Sequence, residues 1–137
     1  MKISNASAVL GLNAILAALN VGGAGTIDIM DGTPPTDPSV AITSQNILAT
    51  VTLSATAFPT AVDNTGKATA TANAITNGTA VAAGTATWFR AYAGNDLAVI
   101  DGTAGVAGDT PELVLDDKTF EVNDDVAVDS WVINLPE

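Results

Sequence analysis

The chain has 137 residues, a net charge of −11 and neither His nor Cys. Its length is typical of one domain, so we expect a single domain over residues 1–137. The lack of Cys excludes disulfides, the lack of His removes the commonest general base and metal ligand, and four basic residues are too few for a nucleic-acid partner. Hydrophobic residues make up 47% of the chain, which predicts a packed domain, and because many of them are Ala we expect a core with few large side chains.

The first predicted element is a helix over about residues 5–20, inside an N-terminal part that covers residues 1–23. Its apolar stripe has helical spacing and consists of Val9, Leu12, Leu16 and Leu19. Ser4 or Ser7 is suited to cap the start of this helix, and Gly22 is suited to end it. The stripe is narrow, so it fits packing on the sheet of its own chain or on a neighbouring subunit equally well.

The same segment also has features of a secretory signal peptide, because Lys2 precedes an apolar run that small residues follow. The match is incomplete, since there is a single basic residue and Asn13 interrupts the run. The run is also shorter than the roughly 20 apolar residues that span a bilayer. We therefore expect no membrane partner, and secretion is the weaker alternative.

The rest of the chain, residues 24–137, has the two-residue periodicity of β-strands. Ile27 and Ile29 share one face of the first predicted strand. Residues 31–39 contain three Pro and form a predicted loop. The next strand alternates, and its predicted inward face holds Ile47, Ala49, Val51 and Leu53.

Turn signals separate the later strands at intervals of about 8–12 residues. These strands are predicted in "VDNTGKATATANAIT", "GTATWFRAYAG", "LAVIDGT", "LVL", "FEV" and "WVINL". Seven or eight short strands after one helix predict a mainly all-β domain, either an antiparallel β-sandwich or a small barrel. Because no helices alternate with the strands, a parallel βαβ sheet is not expected.

Three of the six aromatic residues and the only Arg lie within residues 88–92. On a strand, Trp88, Arg90 and Tyr92 share one face and Phe89 points to the other. We interpret Phe89 as a core residue. The other three are candidate interface residues, a half-exposed stripe with the guanidinium stacked on the rings and in contact with a neighbouring subunit. The alternative is that Trp88 also lies in the core and Arg90 only covers it.

The residue types do not predict catalysis, so we expect a non-enzyme with no catalytic residues and no cofactor. A Ser or Thr nucleophile would need a base, and no Lys has a suitable spacing from a Ser. Composition does not exclude a carboxylate pair for glycoside hydrolysis. The sequence contains no phosphate-binding or dinucleotide-binding glycine motif.

Acidic residues suggest two further features. Four carboxylates could gather at one end of a sheet, where they would suit Ca²⁺, namely Asp116, Asp117, Asp124 and Asp125. Their spacing does not match a calcium-binding loop, so we expect no metal site. Two Asp-Gly-Thr steps, at residues 31–33 and 101–103, each follow an apolar strand, and we interpret both as turns that end a strand.

The order of several segments resembles a known family. These segments are the opening helix, "DGTPPTDPS", "LATVTLSATAF", "ATANAIT", "TATWFR", "VIDGTAG" and "WVINLP". From the helix to Pro136, the chain is similar to small virion structural proteins of tailed bacteriophages that act as capsid decoration, or cement, proteins. No single segment carries the resemblance alone.

The resemblance implies an antiparallel β-sandwich of jelly-roll type with one N-terminal helix. It also implies a protein made in the host cytoplasm that binds the outer surface of the phage head as a homotrimer, with the major capsid protein as its partner. The family has no catalytic residues to carry over. Two segments depart from the family pattern: "TIDIMDG" lacks the expected basic and aromatic residues, and "DTPELVLDDKTFEVNDD" is more acidic than expected.

Two alternatives are compatible with the sequence. The chain could be another virion component, such as part of a tail, baseplate or head fibre. It could also be a secreted carbohydrate-binding or adhesion β-sandwich module, since one fold hosts many functions. The second alternative requires an exposed aromatic platform and loss of the N-terminal residues.

Overall fold

Small and branched residues that alternate along the chain form twelve strands in the computed structural model, which describes residues 1–137. One α-helix, α1, covers Asn5–Leu19, and a 3-10 helix covers Ala107–Asp109. The strands are β1 (Thr26–Met30), β2 (Ile47–Thr52), β3 (Val62–Asp63), β4 (Lys67–Thr71), β5 (Gly78–Thr79), β6 (Gly84–Thr85), β7 (Trp88–Tyr92), β8 (Ala98–Gly105), β9 (Leu113–Leu115), β10 (Thr119–Phe120), β11 (Asp125–Val126) and β12 (Val128–Pro136). The expectation of a mainly β protein with one N-terminal helix is confirmed.

Eight strands form one large mixed sheet in the order β2-β1-β7-β8-β9-β12-β4-β3. Two small ribbons, β10 with β6 and β11 with β5, lie outside it. Neighbouring strands in the large sheet are antiparallel except β8 and β9, which run parallel over Ala104–Leu113 and Gly105–Val114. The expected antiparallel pairing therefore holds for all neighbours but this pair. Residues 106–112 bring the chain back beside Ala104, and β9 then runs in the same direction as β8.

Helix α1 begins and ends at capping residues. The Ser4 hydroxyl accepts a hydrogen bond from the Ser7 backbone N–H at 3.3 Å, and Asn20 ends the helix. Gly22 follows with a φ of +81°, in the left-handed region that suits glycine after a helix. The predicted limits of this helix and its cap at Ser4 are confirmed, whereas Asn20 and not Gly22 caps its end.

The helix packs on its own chain. Its buried residues are Ala8, Leu12, Leu16 and Leu19, and Val9 of the predicted stripe is partly buried. They lie over β4, β12 and β3. Of the two arrangements that the sequence allowed, the structure has the helix on the sheet of the same chain.

Asn13, which interrupts the apolar run of the helix, has a structural role. Its Oδ1 accepts a hydrogen bond from the Ala61 backbone N–H at 2.8 Å, and Oδ1 of Asn20 accepts one from Ala57 N–H at the same distance. Backbone groups of an irregular segment need partners when they are covered. The two amides therefore anchor the segment after β2 to the helix.

A β-bulge changes the faces of β2. Ile29 pairs with Ala49, but Met30 pairs with Ile47, so Leu48 is an extra residue in the ladder. Leu48 is completely buried and Ile47 is 40% exposed. The predicted inward position of Ile47 is therefore wrong, whereas Val51 lies inside as expected.

The core is a single cluster of 25 buried residues, and many of them are Ala. Large rings fill its centre: Trp131 makes edge-to-face contacts with Phe58 at 4.8 Å and with Phe89 at 5.2 Å between ring centroids. Such contacts add to the burial of large apolar area. Two predictions are confirmed: Phe89 is a core residue, and the core is rich in Ala with few large side chains.

Candidate functional site

Residues 31–46, which we call the strap, cross the face of the sheet opposite the core. The Asp31 carboxylate joins the two ends of the strap, because it accepts hydrogen bonds from the Asn46 backbone N–H at 2.8 Å and from Asn46 Nδ2 at 3.0 Å. These bonds hold the pKa of Asp31 below its usual value. Gly32 follows with a φ of +75°, so the predicted strand-ending turn at residues 31–33 is confirmed.

The strap is bonded to β7. Trp88 Nε1 donates a hydrogen bond to the Asp31 carbonyl oxygen at 2.8 Å, and the Thr87 hydroxyl donates one to the Gly32 carbonyl oxygen at 2.7 Å. Trp88 is 1% exposed as a result. An irregular segment of Pro and Thr thus covers a large ring that would otherwise face water.

Arg90 joins the strap to the sheet with four hydrogen bonds. Its Nε and Nη2 each donate to one oxygen of Asp101 at 2.7 Å, a two-pronged geometry that favours Arg over Lys. Nη1 donates to the Val40 carbonyl oxygen at 2.8 Å, and Nη2 also donates to that of Asp37 at 3.2 Å. The bond to Asp101 raises the pKa of Arg90, so this guanidinium, 3% exposed, stays charged.

A polar row crosses four strands beneath the strap. The sheet register places Thr50, Asp28, Arg90 and Asp101 side by side on β2, β1, β7 and β8. The Thr50 hydroxyl donates to Asp28 Oδ1 at 2.6 Å. Burial nevertheless raises the pKa of Asp28, because it outweighs the hydrogen bond and the charge of Arg90, which act in the opposite direction.

The predicted half-exposed stripe on β7 needs correction. Trp88 and Arg90 are both buried, and only Tyr92 keeps partial exposure. The strap covers the first two, and this cover depends on contacts with residues about 50 positions away in the sequence. The predicted stacking is present, since the Arg90 guanidinium carbon lies 5.7 Å from the Trp88 ring centroid. Contact of the three residues with a second subunit stays a prediction.

Tyr92 is the last residue of β7 and is half-buried. Burial of its ring and the negative charge of Asp28 raise the pKa of its hydroxyl, so the ring is uncharged at neutral pH. It therefore offers a partly exposed aromatic surface with a polar tip. Among the three candidate interface residues, Tyr92 is the one that a partner reaches without moving the strap.

The second Asp-Gly-Thr step is not a turn. Residues 101–103 lie inside β8, and Gly102 pairs with Phe89 on β7. A Cβ atom on Gly102 would lie 2.6 Å from the Phe89 ring. The turn interpretation is wrong here, because this glycine makes room for a core ring and its Asp binds the arginine.

A groove of about 670 Å³ runs beside the polar row. One wall is the proline-rich part of the strap, and the other is formed by β8 with Val99, Asp101 and Thr103. Ile15 of the helix and Ile133 of β12 also line it. The groove therefore extends from the strap to Ile15 on the helix.

The four carboxylates considered for calcium are each used in hydrogen bonds within the chain. The Asp116 carboxylate accepts from Asp117 N–H and Ala127 N–H, and that of Asp117 accepts from Thr119 N–H. The Asp124 carboxylate accepts from Glu121 N–H, whereas that of Asp125 accepts from Nδ2 of Asn77, a residue 48 positions away. No three His, Cys, Asp or Glu side chains gather in a group that could hold a metal ion.

Five of the six aromatic side chains are buried, namely Phe58, Trp88, Phe89, Phe120 and Trp131. A sugar-binding platform needs rings that present a face to solvent. Only Tyr92 has a partly exposed ring. This arrangement disfavours the carbohydrate-binding alternative.

Sequence reasoning missed the strap and the residues that bind Arg90. One signal was available: a single Arg on a strand that faces a buried region needs a carboxylate, and Asp101 lies on the next strand. The carbonyl groups of Asp37 and Val40 carried no such signal. Every backbone has carbonyl groups, so their use depends on where the loop folds.

Comparisons of the chain with protein-family models, with curated proteins and with solved structures found no match. No helix in the structure has the length and apolar character needed to cross a membrane.

Proposed function

We propose that the chain is a non-enzymatic virion structural protein, a capsid decoration or cement protein that binds the outside of a tailed-phage head. The observation that carries this proposal is the resemblance along nearly the whole chain, from the opening helix to Pro136. The order of the segments matters more than any one of them. Its partners would be the major capsid protein and further copies of itself, and its place the outer surface of the virion head.

The internal bonding of the fold supports this role. Apolar packing of Leu12, Leu16 and Leu19 holds the helix on one face of the sheet, and hydrogen bonds from Trp88 and Arg90 hold the strap on the other. A cement protein must keep its contact surfaces in fixed positions before it binds, because ordering them on binding would reduce affinity. A chain held in this way meets that need.

The net charge of −11 also fits a protein present at high local copy number. Like charges keep copies apart in solution, and the chain then associates only where specific contacts overcome the repulsion. Lys2, Lys67 and Lys118 are the only basic side chains other than the buried Arg90. The capsid surface that it meets is then expected to be neutral or basic.

The finer fold and the oligomer belong to the same proposal. We assign the sheet to the jelly-roll type of β-sandwich, with the parallel pair of β8 and β9 as a departure. We assign the protein to homotrimers, in which Tyr92 contributes to the contact between subunits. Trp and Tyr are enriched at such contacts, and Tyr92 is the exposed member of its stripe.

The mechanism would be mass action. A protein that binds the assembled shell and not its free subunits stabilises the shell by its binding free energy. Many copies, each with a modest interface, act together because disassembly must break all of them. No chemical step is involved.

Two measurements test the proposal. Light scattering of the purified protein should give the mass of a trimer, and the protein should sediment with expanded heads that lack their own decoration protein. Tyr92→Ser should weaken the trimer, whereas Val122→Ser, at a 53% exposed position away from β7, should not. A monomer that never sediments with heads would rule the proposal out. Immunogold labelling of intact particles distinguishes a head from a tail or baseplate position.

A further inference from the structure

The large sheet forks between β8 and β12. β9 lies between them but is only three residues long, Leu113–Leu115. Neighbouring strands are about 4.8 Å apart, so β8 and β12 are roughly 10 Å apart where β9 separates them. Beyond the N-terminal end of β9, Glu112 still bonds to both strands, and before it no strand pairs with the facing edge of either of them. We call the space between residues 98–103 of β8 and residues 132–136 of β12 the slot, and it has the width of one strand.

The β12 side of the slot presents unpaired backbone groups. The Trp131 carbonyl accepts from Ala72 N–H, and Glu137 N–H donates to the Gly66 carbonyl, so odd-numbered residues of this segment bond towards β4. Even-numbered residues point the other way, as the bond from Val132 N–H to the Glu112 carbonyl shows. By this alternation Asn134 directs its N–H and C=O into the slot.

The β8 side follows the same rule. Ala104 N–H donates to the Thr87 carbonyl, so even-numbered residues bond towards β7 and odd-numbered ones point into the slot. At the fork, the Glu112 carboxylate accepts from Thr103 N–H at 2.9 Å and takes the place of a missing strand. One step further from the fork, Asp101 directs its N–H and C=O into the slot.

The slot has an apolar floor and an acidic rim. Ile15 from the helix and Ile133 line the floor, and the adjoining small cavity reaches Phe89 and Ile100. Three carboxylates line the groove, and since that of Asp101 is paired with Arg90, the acidic rim is formed by Asp37 and Glu112. Side chains of an inserted strand would point alternately to the floor and to the rim.

We propose that the slot binds an extended segment of another protein in which apolar residues alternate with Lys or Arg. The segment would add a strand in line with β9, bond to Asp101 and Asn134, and place its apolar side chains on Ile15 and its basic ones near the rim. A second copy of the chain is a poor occupant, because its three Lys and one Arg are scattered and none lies in an alternating run. The proposal stands independently of the virion role.

The probe is a fluorescent heptapeptide of alternating Lys and Val, measured by anisotropy against the full-length protein. A peptide with the same residues in two blocks carries the same charge but has no alternation, and we expect it to bind at least tenfold more weakly. Hydrogen exchange at the amides of Asp101 and Asn134 should slow when the alternating peptide binds. Equal binding of the two peptides, no saturable binding up to about 1 mM, or unchanged exchange would overturn the proposal.

A matched pair of variants on the helix tests the location. Ile15→Lys places a cation on the floor of the slot and should reduce affinity for the alternating peptide at least tenfold. Leu10→Lys, at a 71% exposed position on the same helix, adds the same charge and should leave affinity unchanged. Equal effects of the two variants would contradict the slot. If the peptide instead dissociates an oligomer of the protein, a second copy occupies the slot and the proposal is wrong.

Discussion

Arg90 shows how one charged side chain holds an irregular segment on a sheet. Its guanidinium bonds to a carboxylate on the neighbouring strand and to two carbonyl groups of the strap, and it is 3% exposed. A buried charge is tolerated only when it is paired and its donors are satisfied. Arg90 meets both conditions, and this explains why the only Arg of the chain lies here.

Removal of this side chain should destabilise the protein strongly. Arg90→Met leaves the Asp101 carboxylate, 12% exposed, without its partner, and we expect a loss of about 3–5 kcal/mol in the free energy of unfolding. Arg90→Lys should recover only part of this, because a single ammonium cannot make the two-pronged contact. Urea titration followed by circular dichroism measures both.

The exposed ion pair provides the control for this prediction. Lys118 lies 2.7 Å from Asp109, and both side chains are well exposed to solvent. Lys118→Met should leave the urea midpoint nearly unchanged, because water screens such a pair. A midpoint for Arg90→Met as high as that of Lys118→Met would show that the buried pair contributes little.

Asp28 gives the protein a predictable dependence on pH. Burial raises the pKa of this carboxyl above its ordinary value of 3.8, so the folded protein binds its proton more tightly than the unfolded chain does. This contribution to stability is present at low pH and is lost as the pH rises through the raised pKa. At neutral pH, the ionised group is therefore a net cost.

Asp28→Asn should accordingly raise the urea midpoint at about pH 7 and have little effect at about pH 3. The gain should be less than about 1 kcal/mol, because the carboxylate is partly exposed and water screens its charge. The amide oxygen still accepts the hydrogen bond from Thr50. A lower midpoint at neutral pH would show that attraction to Arg90 outweighs burial.

At the scale of elements, helix α1 is the clearest case of local sequence leading to tertiary packing. Its caps and length follow from nearby residues, and its buried face follows from a spacing of three and four. The faces of β2 illustrate the opposite case. The bulge at Leu48 arises from pairing with β1, so the alternation within β2 alone pointed to the wrong face for Ile47.

Two leucines on the helix separate packing from helix propensity. Leu12 is completely buried and Leu10 is 71% exposed, although both occupy the middle of the same helix. Leu12→Ala should lower the free energy of unfolding by about 2–5 kcal/mol through the lost apolar contacts and the cavity left behind. Leu10→Ala should change it by less than about 0.5 kcal/mol. Equal effects in urea titrations would contradict packing of the helix on its own sheet.

At the scale of the whole molecule, the sheet is covered on both faces, by the core and helix on one and by the strap on the other. The two tryptophans lie on opposite faces: Trp131 in the core and Trp88 under the strap. Because Arg90 and Trp88 bond the strap to a central strand, we expect the strap to unfold together with the core.

Single-tryptophan variants measure this cooperativity. In Trp131→Phe the remaining fluorescence reports on the strap, and in Trp88→Phe it reports on the core. For each variant, the urea midpoint from fluorescence should equal that from far-ultraviolet circular dichroism. A fluorescence transition at lower urea concentration than the circular dichroism transition, in Trp131→Phe alone, would show that the strap unfolds before the core. Trp88 and Arg90 would then be buried in only one of two populated states.

The sequence by itself determined the helix and its cap at Ser4, the strand periods, the first turn after β1 and the core position of Phe89. These features depend on residues within one or two turns or on alternation within one strand, so local physical chemistry decides them. The tertiary structure alone decided the bulge in β2, the strap over Trp88 and Arg90, the pairing of Arg90 with Asp101 and the fork between β8 and β12. Each of these depends on which strands become neighbours, and the contact between Arg90 and Val40 joins residues 50 positions apart. A pattern in one segment carries no information about a partner that the fold supplies from elsewhere.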